Sequence, residues 1–550
     1  MKTGIAVAQK REKADLVIKN ANIFHLTTGR FELADIAVVN GVIAGIGHGY
    51  PAESEYDAAG KTVVPGFIDT HVHIESSLIT PRQFEQCVLP HGVTTVVCDP
   101  HELANVVGEA AFDFFFKSAE KMDLDMIVRL SSCVPATTLE TAGAVISADV
   151  LKKWHEKYPK AALAEFMNVP GVLFEDEEVM AKLRIFDYID GHCPLLSGDA
   201  LNAYIYAGIR NCHETSTLQE AEEKISRGMY VFIREGTAAK NLTELMPLLT
   251  LEKSPFLAFC TDDRNPLEIR ENGHIDSMIA EAIAAGVEPL VAYRVASMSA
   301  AGCLDMTDRG LIAPGKRADI VVLDDFQTCK VAATFTRGKL FMPNGLIEED
   351  IPVDFLHTVH CREMTADDFV VESHGADIPV IGVLDGSIIT DFLRMDPEKD
   401  SDVLPMAVLE RHGKNGNIGR GFVHGFGMKH GAIASSVGHD SHNLCVVGTN
   451  GVDMATAVNA LRESQGGFCV AIDGKVAGLL HLPVAGLMSN QSFDIVEAQV
   501  EAIRQALQLT GTHLHEPFMT LAFLPLPVIP FLKLTDCGLV DVQQFKIING

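Results

Sequence analysis

The chemistry in this chain starts at Pro65-Gly66-Phe67-Ile68-Asp69-Thr70-His71-Val72-His73, where an apolar strand ends in Asp-x-His-x-His. Side chains alternate along a strand, so His71 and His73 point to the same side. Two imidazoles aimed into one space at a strand end are a ready pair of metal ligands. Taken alone, the pair reads equally well as two satisfied core histidines. The rest of the chain decides between the two. Apolar runs recur at 94–98, 126–130, 162–164, 186–189, 209–212, 229–233 and 256–260, and each closes on polar residues. The residues at those ends include Asp99, His101 and Glu102, then Glu165, His192, His213, Arg234 and Glu235, and finally Asp262 and Asp263.

Four imidazoles and two carboxylates suffice for two divalent cations. In this reading Glu165 shares its two oxygens between the metals. His71 and His73 hold one, His192 and His213 the other, and Asp262 binds a metal and the nucleophilic water. Metal coordination lowers the pKa of bound water to near 7 and supplies hydroxide at neutral pH. The reaction class is hydrolysis at an electrophilic carbon, with Asp262 taking the proton and passing it to the leaving group. Asp263 is the alternative to Asp262, or a group that orients a ligand.

The elements that must position these residues follow from the spacing between the strands. Phe112, Phe115, Phe116 and Ala119 lie on one helical face, as do Leu218, Ala221 and Ile225. Strands alternating with helices predict a parallel sheet of the α/β class. Eight such units predict a closed TIM-type (β/α)8 barrel, whose catalytic residues come from the C-terminal ends of its strands. The barrel is expected over 65–298. Short strands punctuated by Gly and Asn fill 1–64, and a second set follows over 299–350. The two sets can pair into a small β-sandwich built from both flanks. A charged stretch, Ile347-Glu348-Glu349-Asp350, begins a linker. From 365 to 550 the pattern reads as an α+β domain, with helices at 454–462 and 495–507.

The chain has 550 residues, 47% of them hydrophobic and 21% charged, which describes a globular protein with sizeable cores. A formal net charge of -29 excludes nucleic acid and an anionic membrane surface as partners. The first residues lack the apolar core of a signal peptide, and no apolar stretch approaches membrane-spanning length. The nearest, 518–534, carries three prolines and reads as a buried strand-turn segment. Twelve cysteines without paired spacing are expected to be reduced thiols, Cys193 and Cys212 packing rather than reacting. A cytoplasmic location and a homo-oligomer, dimer or tetramer, are expected.

The first motif, followed much later by Leu311-Ile312-Ala313-Pro314-Gly315-Lys316-Arg317-Ala318-Asp319, resembles the amidohydrolase superfamily. Longer segments resemble its bacterial adenine deaminases. These are His73-Ile74-Glu75-Ser76-Ser77, Cys98-Asp99-Pro100-His101-Glu102, Asp190-Gly191-His192-Cys193-Pro194, Cys260-Thr261-Asp262-Asp263-Arg264 and Gly438-His439-Asp440-Ser441-His442-Asn443. The resemblance implies hydrolysis of adenine to hypoxanthine and ammonia, with manganese or iron as the metal; oxygen and nitrogen ligands also suit zinc. Many superfamily members bridge their metals with a carboxylated lysine at strand 4, where this chain has Glu165. Asp99, His101 and Glu102 read either as a further metal or substrate site or as a helix start. Arg234 and Glu235 are candidates for reading the purine edge. His439, Asp440 and His442 read either as a surface loop or as a segment that closes the barrel mouth. Two other functions compete: a binuclear amidohydrolase acting on a cyclic amide or a different nucleobase, and a scaffold with a structural metal.

Overall fold

The structure, a computed structural model, describes residues 3–237, 239–371 and 377–548. The two chain ends, which fall in the expected first and last domains, and 372–376 in the latter lie outside the described residues.

Eight strands carry the site: β1 Phe67–Val72, β2 Val93–Cys98, β3 Asp125–Val128, β4 Leu163–Phe166, β5 Ile189–Gly191, β6 Asn211–Cys212, β7 Tyr230–Arg234 and β8 Leu257–Cys260. Neighbours pair in parallel from β1 through β3, from β4 to β5, and from β6 through β8. Single parallel bridges join the remaining seams: Leu130 with Leu163, Ile189 with Ile209, and Val72 with Asp262. The ring of strands is therefore continuous. Every residue of β1, β2, β4 and β8 is buried. That is the signature of a parallel sheet covered on both faces, and it explains why these strands read as unbroken apolar runs.

The seam between β8 and β1 is tied most heavily. The Thr261 amide and hydroxyl donate to the two oxygens of Asp69 at 3.1 and 2.5 Å. The Thr70 hydroxyl donates to the Phe259 carbonyl at 2.9 Å.

The strands flanking the barrel pair into one eight-stranded sheet, and residues of both flanks share one buried core. The physical reason is the long strand Ala14–His25. Its first half pairs with Ala52–Asp57 and its second half with Thr62–Pro65, while its antiparallel register with Arg30–Val39 shifts between Ile18 and Ala21. Ile320–Asp325, from beyond the barrel, runs antiparallel to Thr62–Pro65 and joins the two flanks.

The C-terminal region is a second eight-stranded sheet. The helix Gly451–Ser464 packs against its strand Gly467–Ile472, and Phe493–Gln508 against Lys475–His481. A three-stranded sheet, Leu532–Thr535, Gly538–Asp541 and Lys546–Ile548, completes the region. The segment expected to be strand-turn opens instead with a helix, Pro517–Phe523. Pro517 occupies the first turn, where a missing N–H costs nothing, and Phe518, Leu521 and Ala522 are buried. Among the described residues no helix is long and apolar enough to cross a membrane.

Candidate active site

The strand ends converge. His71 lies within β1, and His73 follows it. Glu165 lies in β4; His192 and His213 directly follow β5 and β6; Arg234 ends β7; Asp262 comes two residues after β8. All seven are buried. Glu165 sits at the centre with its oxygens facing opposite ways. Oε1 lies 3.3 Å from His73 Nε2 and 3.2 Å from His101 Nδ1. Oε2 lies 2.8 Å from His192 Nδ1 and 3.2 Å from His213 Nε2. The barrel seam brings Asp262 beside the first pair of histidines, its Oδ1 3.4 Å from His71 Nε2 and 3.2 Å from His73 Nε2. Asp262 adopts a left-handed backbone (φ 58), uncommon for a residue with a side chain and concentrated at functional sites.

Arg234 fixes the other oxygen of Asp262 at 2.7 Å and reaches Glu214 Oε2 at 2.8 Å. Glu214 escaped the sequence reading, although it lies beside His213. A Glu after β6 and an Arg ending its neighbour β7 are the signal that was available. Glu235 does not join them. It follows Arg234, and successive strand side chains point to opposite faces. Its carboxylate instead accepts from the Leu242 amide at 3.1 Å.

Asp263 accepts from the Ser76 hydroxyl at 2.5 Å. Asp99 accepts from the Ser131 hydroxyl at 2.6 Å, and its backbone carbonyl lies 3.0 Å from His73 Nδ1. His101 and Glu102 do start a helix, His101–Val107, yet both side chains also face the cluster. His439 and Asp440, from the C-terminal region, stand over it. His439 Nδ1 is 2.8 Å from Glu102 Oε1, and His442 contacts the other Glu102 oxygen. Cys193 and Cys212 pack beneath the ligands. The buried Lys224 lies 3.3 Å from Cys212 Sγ, and burial pushes the Cys193 thiol up after the contact with Cys212 has done so.

Burial by itself would raise the Glu165 carboxyl, but His101, His192 and His213 hold it well below the ordinary range. Asp262 is likewise held low against burial by Arg234, then by His71 and His73. Asp263 goes the other way, pushed up by burial and by Asp262 beside it.

The cavity over this cluster has two unlike walls. The barrel side presents His73, Glu165, His192, His213, Glu214, Arg234 and Asp262. The roof adds Ile388, Phe523, Leu526 and Ile529 from the C-terminal region. His439 stacks on Phe523 with ring centroids 4.3 Å apart.

Residues 62–341 match the amidohydrolase family and 387–546 the adenine deaminase C-terminal domain. An adenine deaminase of Gluconobacter oxydans is 51% identical over 99% of this chain and 99% of its own length. The chain belongs to the adenine deaminase family. Adenine deaminase 1 of Rhizobium etli is also 51% identical, over 98% of each chain. Among solved structures, an enamidase of the amidohydrolase superfamily covers 59% of this chain and 95% of its own, at 18% identity and a TM-score of 0.43. For this member of the adenine deaminase family, the donor set fits divalent metal ions. His71 Nε2 and His73 Nε2 face each other at 3.1 Å, while the Asp99 carbonyl takes the hydrogen on His73 Nδ1 and leaves an Nε2 lone pair aimed inward. His192 Nε2 and His213 Nδ1 are buried without a hydrogen-bond partner. His71, His213 and Asp262 form one group with metal-ligand spacing, and Glu165, His192 and His213 another.

Proposed function

We propose that this protein hydrolyses adenine to hypoxanthine and ammonia. The observation that carries the reading is Glu165, whose two oxygens divide between two sets of imidazoles in a chain of this family. His71, His73 and Asp262 would hold one ion and His192 and His213 the other, with Glu165 between them. Oxygen and nitrogen donors without thiolate suit manganese or iron, and accept zinc. When bound, the ions supply a water of lowered pKa and a positive field for the oxygen that develops at the attacked carbon.

The chain's own residues do the rest. Asp262 stands where the attacking water's proton must go, and Arg234 keeps its carboxylate ionised and aimed. Asp262 then returns that proton to the departing amino group. The carbon–nitrogen bond breaks, the carbonyl forms, and ammonia leaves. A ring nitrogen must gain a proton as the tetrahedral centre forms. Asp263, pushed toward its protonated form and fixed by Ser76, is placed to give it, and the proton that the oxygen loses as the carbonyl forms restores Asp263. Ile388, Phe523, Leu526 and Ile529 suit the face of a planar base, since ligand pockets are mostly apolar with a few fixed polar groups. The domain division fits this use: the barrel carries the chemistry, and the region from 365 onward roofs it.

The test is ammonia release from adenine by protein stripped of metal and reloaded with manganese or iron. Metal-dependent release, with cytosine and adenosine inert, is expected. Retained binding of two ions without release would leave the metal chemistry standing and overturn adenine as substrate.

A further inference from the structure

A second group of ligand atoms lies beyond the Glu165 cluster and is built half from the barrel, half from the C-terminal region. His101, Glu102, His439 and Asp440 each offer one donor atom, and these atoms lie within 4.8 Å of one another. Glu102 and Asp440 are 1% and 2% exposed. Two carboxylates so deeply buried demand a compensating charge.

The hydrogen-bond pattern around the group narrows what that charge is. His101 Nδ1 faces Asp99 Oδ2 at 3.2 Å, an acceptor, so the ring hydrogen sits on Nδ1. Its Nε2 then presents a lone pair to Glu102 Oε1 at 3.3 Å and to Asp440 Oδ1 at 3.9 Å. A lone pair facing two carboxylates is repulsive unless a cation lies between them or the ring takes a second proton. His101 Nε2, Glu102 Oε1 and Asp440 Oδ2 are buried with no hydrogen-bond partner. His439 Nδ1 approaches Glu102 Oε1 to 2.8 Å, again without the geometry of a hydrogen bond.

His442 belongs to the support rather than the ligand set. The Gly438 amide donates to its Nδ1 at 3.2 Å, which leaves the hydrogen on Nε2, facing Glu102 Oε2. It therefore holds Glu102 in place, as partners of metal ligands do.

We propose that His101, Glu102, His439 and Asp440 form a further divalent-cation site, distinct from the two sets that meet at Glu165, which clamps the C-terminal region onto the barrel mouth. Two imidazoles and two carboxylates suit manganese, iron or zinc, and their two negative charges neutralise the ion. The site does not depend on adenine being the substrate. His101 touches both groups, since its Nδ1 lies 3.2 Å from Glu165 Oε1.

The experiment is a metal count on the full chain, stripped and then saturated with manganese alone, read by elemental analysis and titration calorimetry. Three ions per chain are expected for the natural sequence and two for Glu102→Gln. Asp440→Asn, a milder change, is expected to weaken the third ion at least about tenfold. Far-ultraviolet circular dichroism checks that each variant is folded. If Glu102→Gln does not fold, Asp440→Asn alone decides. Two ions in the natural sequence, or three retained in the folded variants, overturns the site and assigns the compensating charge to protonated histidines. Adenine turnover is measured separately, so losing the third ion with turnover intact sinks neither the substrate assignment nor the Glu165 pair.

Discussion

Asp262 and His73 are joined twice across the seam that closes the barrel. The His73 amide donates to the Asp262 carbonyl at 3.1 Å, and the His73 Nε2 lies 3.2 Å from the Asp262 carboxylate. The Asp262 amide in turn donates to the His71 carbonyl at 3.0 Å. Backbone pairing between the first and last strands thus sets the spacing of side chains nearly two hundred residues apart. A shift of one residue in that register would turn the ligands away from each other.

Replacing His71 or His73 by Ala is expected to abolish turnover while leaving the fold intact. The measurement is ammonia release alongside circular dichroism. A fully active variant would show that the pair at the end of β1 is not part of the reacting site.

Glu165→Gln keeps the shape of the side chain but removes the charge that two sets of imidazoles share. Metal content should fall, with affinity reduced by about 10- to 100-fold. Unchanged occupancy in elemental analysis would show that Glu165 does not bridge.

Arg234→Ala leaves Glu214 and Asp262 buried with no cation between them. Losing one partner of a buried pair costs about 3–5 kcal/mol. Urea unfolding of the metal-free protein should show a loss of that order, together with a fall in kcat. A stability within about 0.5 kcal/mol of the natural chain would mean that water reaches both carboxylates.

Lys533 provides a pH test away from the metal ligands. It is fully buried, its ammonium meets the carbonyls of Ile388 and Phe523 at 2.9 and 3.0 Å, and burial pushes its pKa down to about 7. The unfolded chain binds this proton up to about pH 10.5, the folded chain only up to about 7, so stability rises with pH between the two. Lys533→Met removes the dependence. The variant's stability relative to the natural chain should therefore decline steadily as pH rises from 7 toward 10, by at most about 5 kcal/mol at 1.36 kcal/mol per unit. A pH-independent difference would show that Lys533 keeps its charge in the fold.

Most of the eight apolar runs were legible because strands buried on both faces leave a continuous apolar signal bounded by polar residues; Asp125–Val128 alternates buried and half-buried residues. The helices Ala110–Ala119 and Leu218–Ser226 were legible from single apolar faces for the same local reason. Glu235 shows where that reading erred. It was grouped with Arg234 by adjacency, when the period of two on a strand separates their directions.

What the sequence by itself determined is local: which residues form strands and helices, and which strand ends carry groups able to bind metal. Only the tertiary structure decided the partnerships. It split the oxygens of Glu165 between two sets of histidines, paired Arg234 with Glu214, and lowered the His439 segment onto Glu102. Asn443, in that segment, donates to the Thr141 carbonyl across 302 residues of chain. Contacts of that kind leave no periodicity, because they arise from how whole layers pack rather than from the spacing of neighbours.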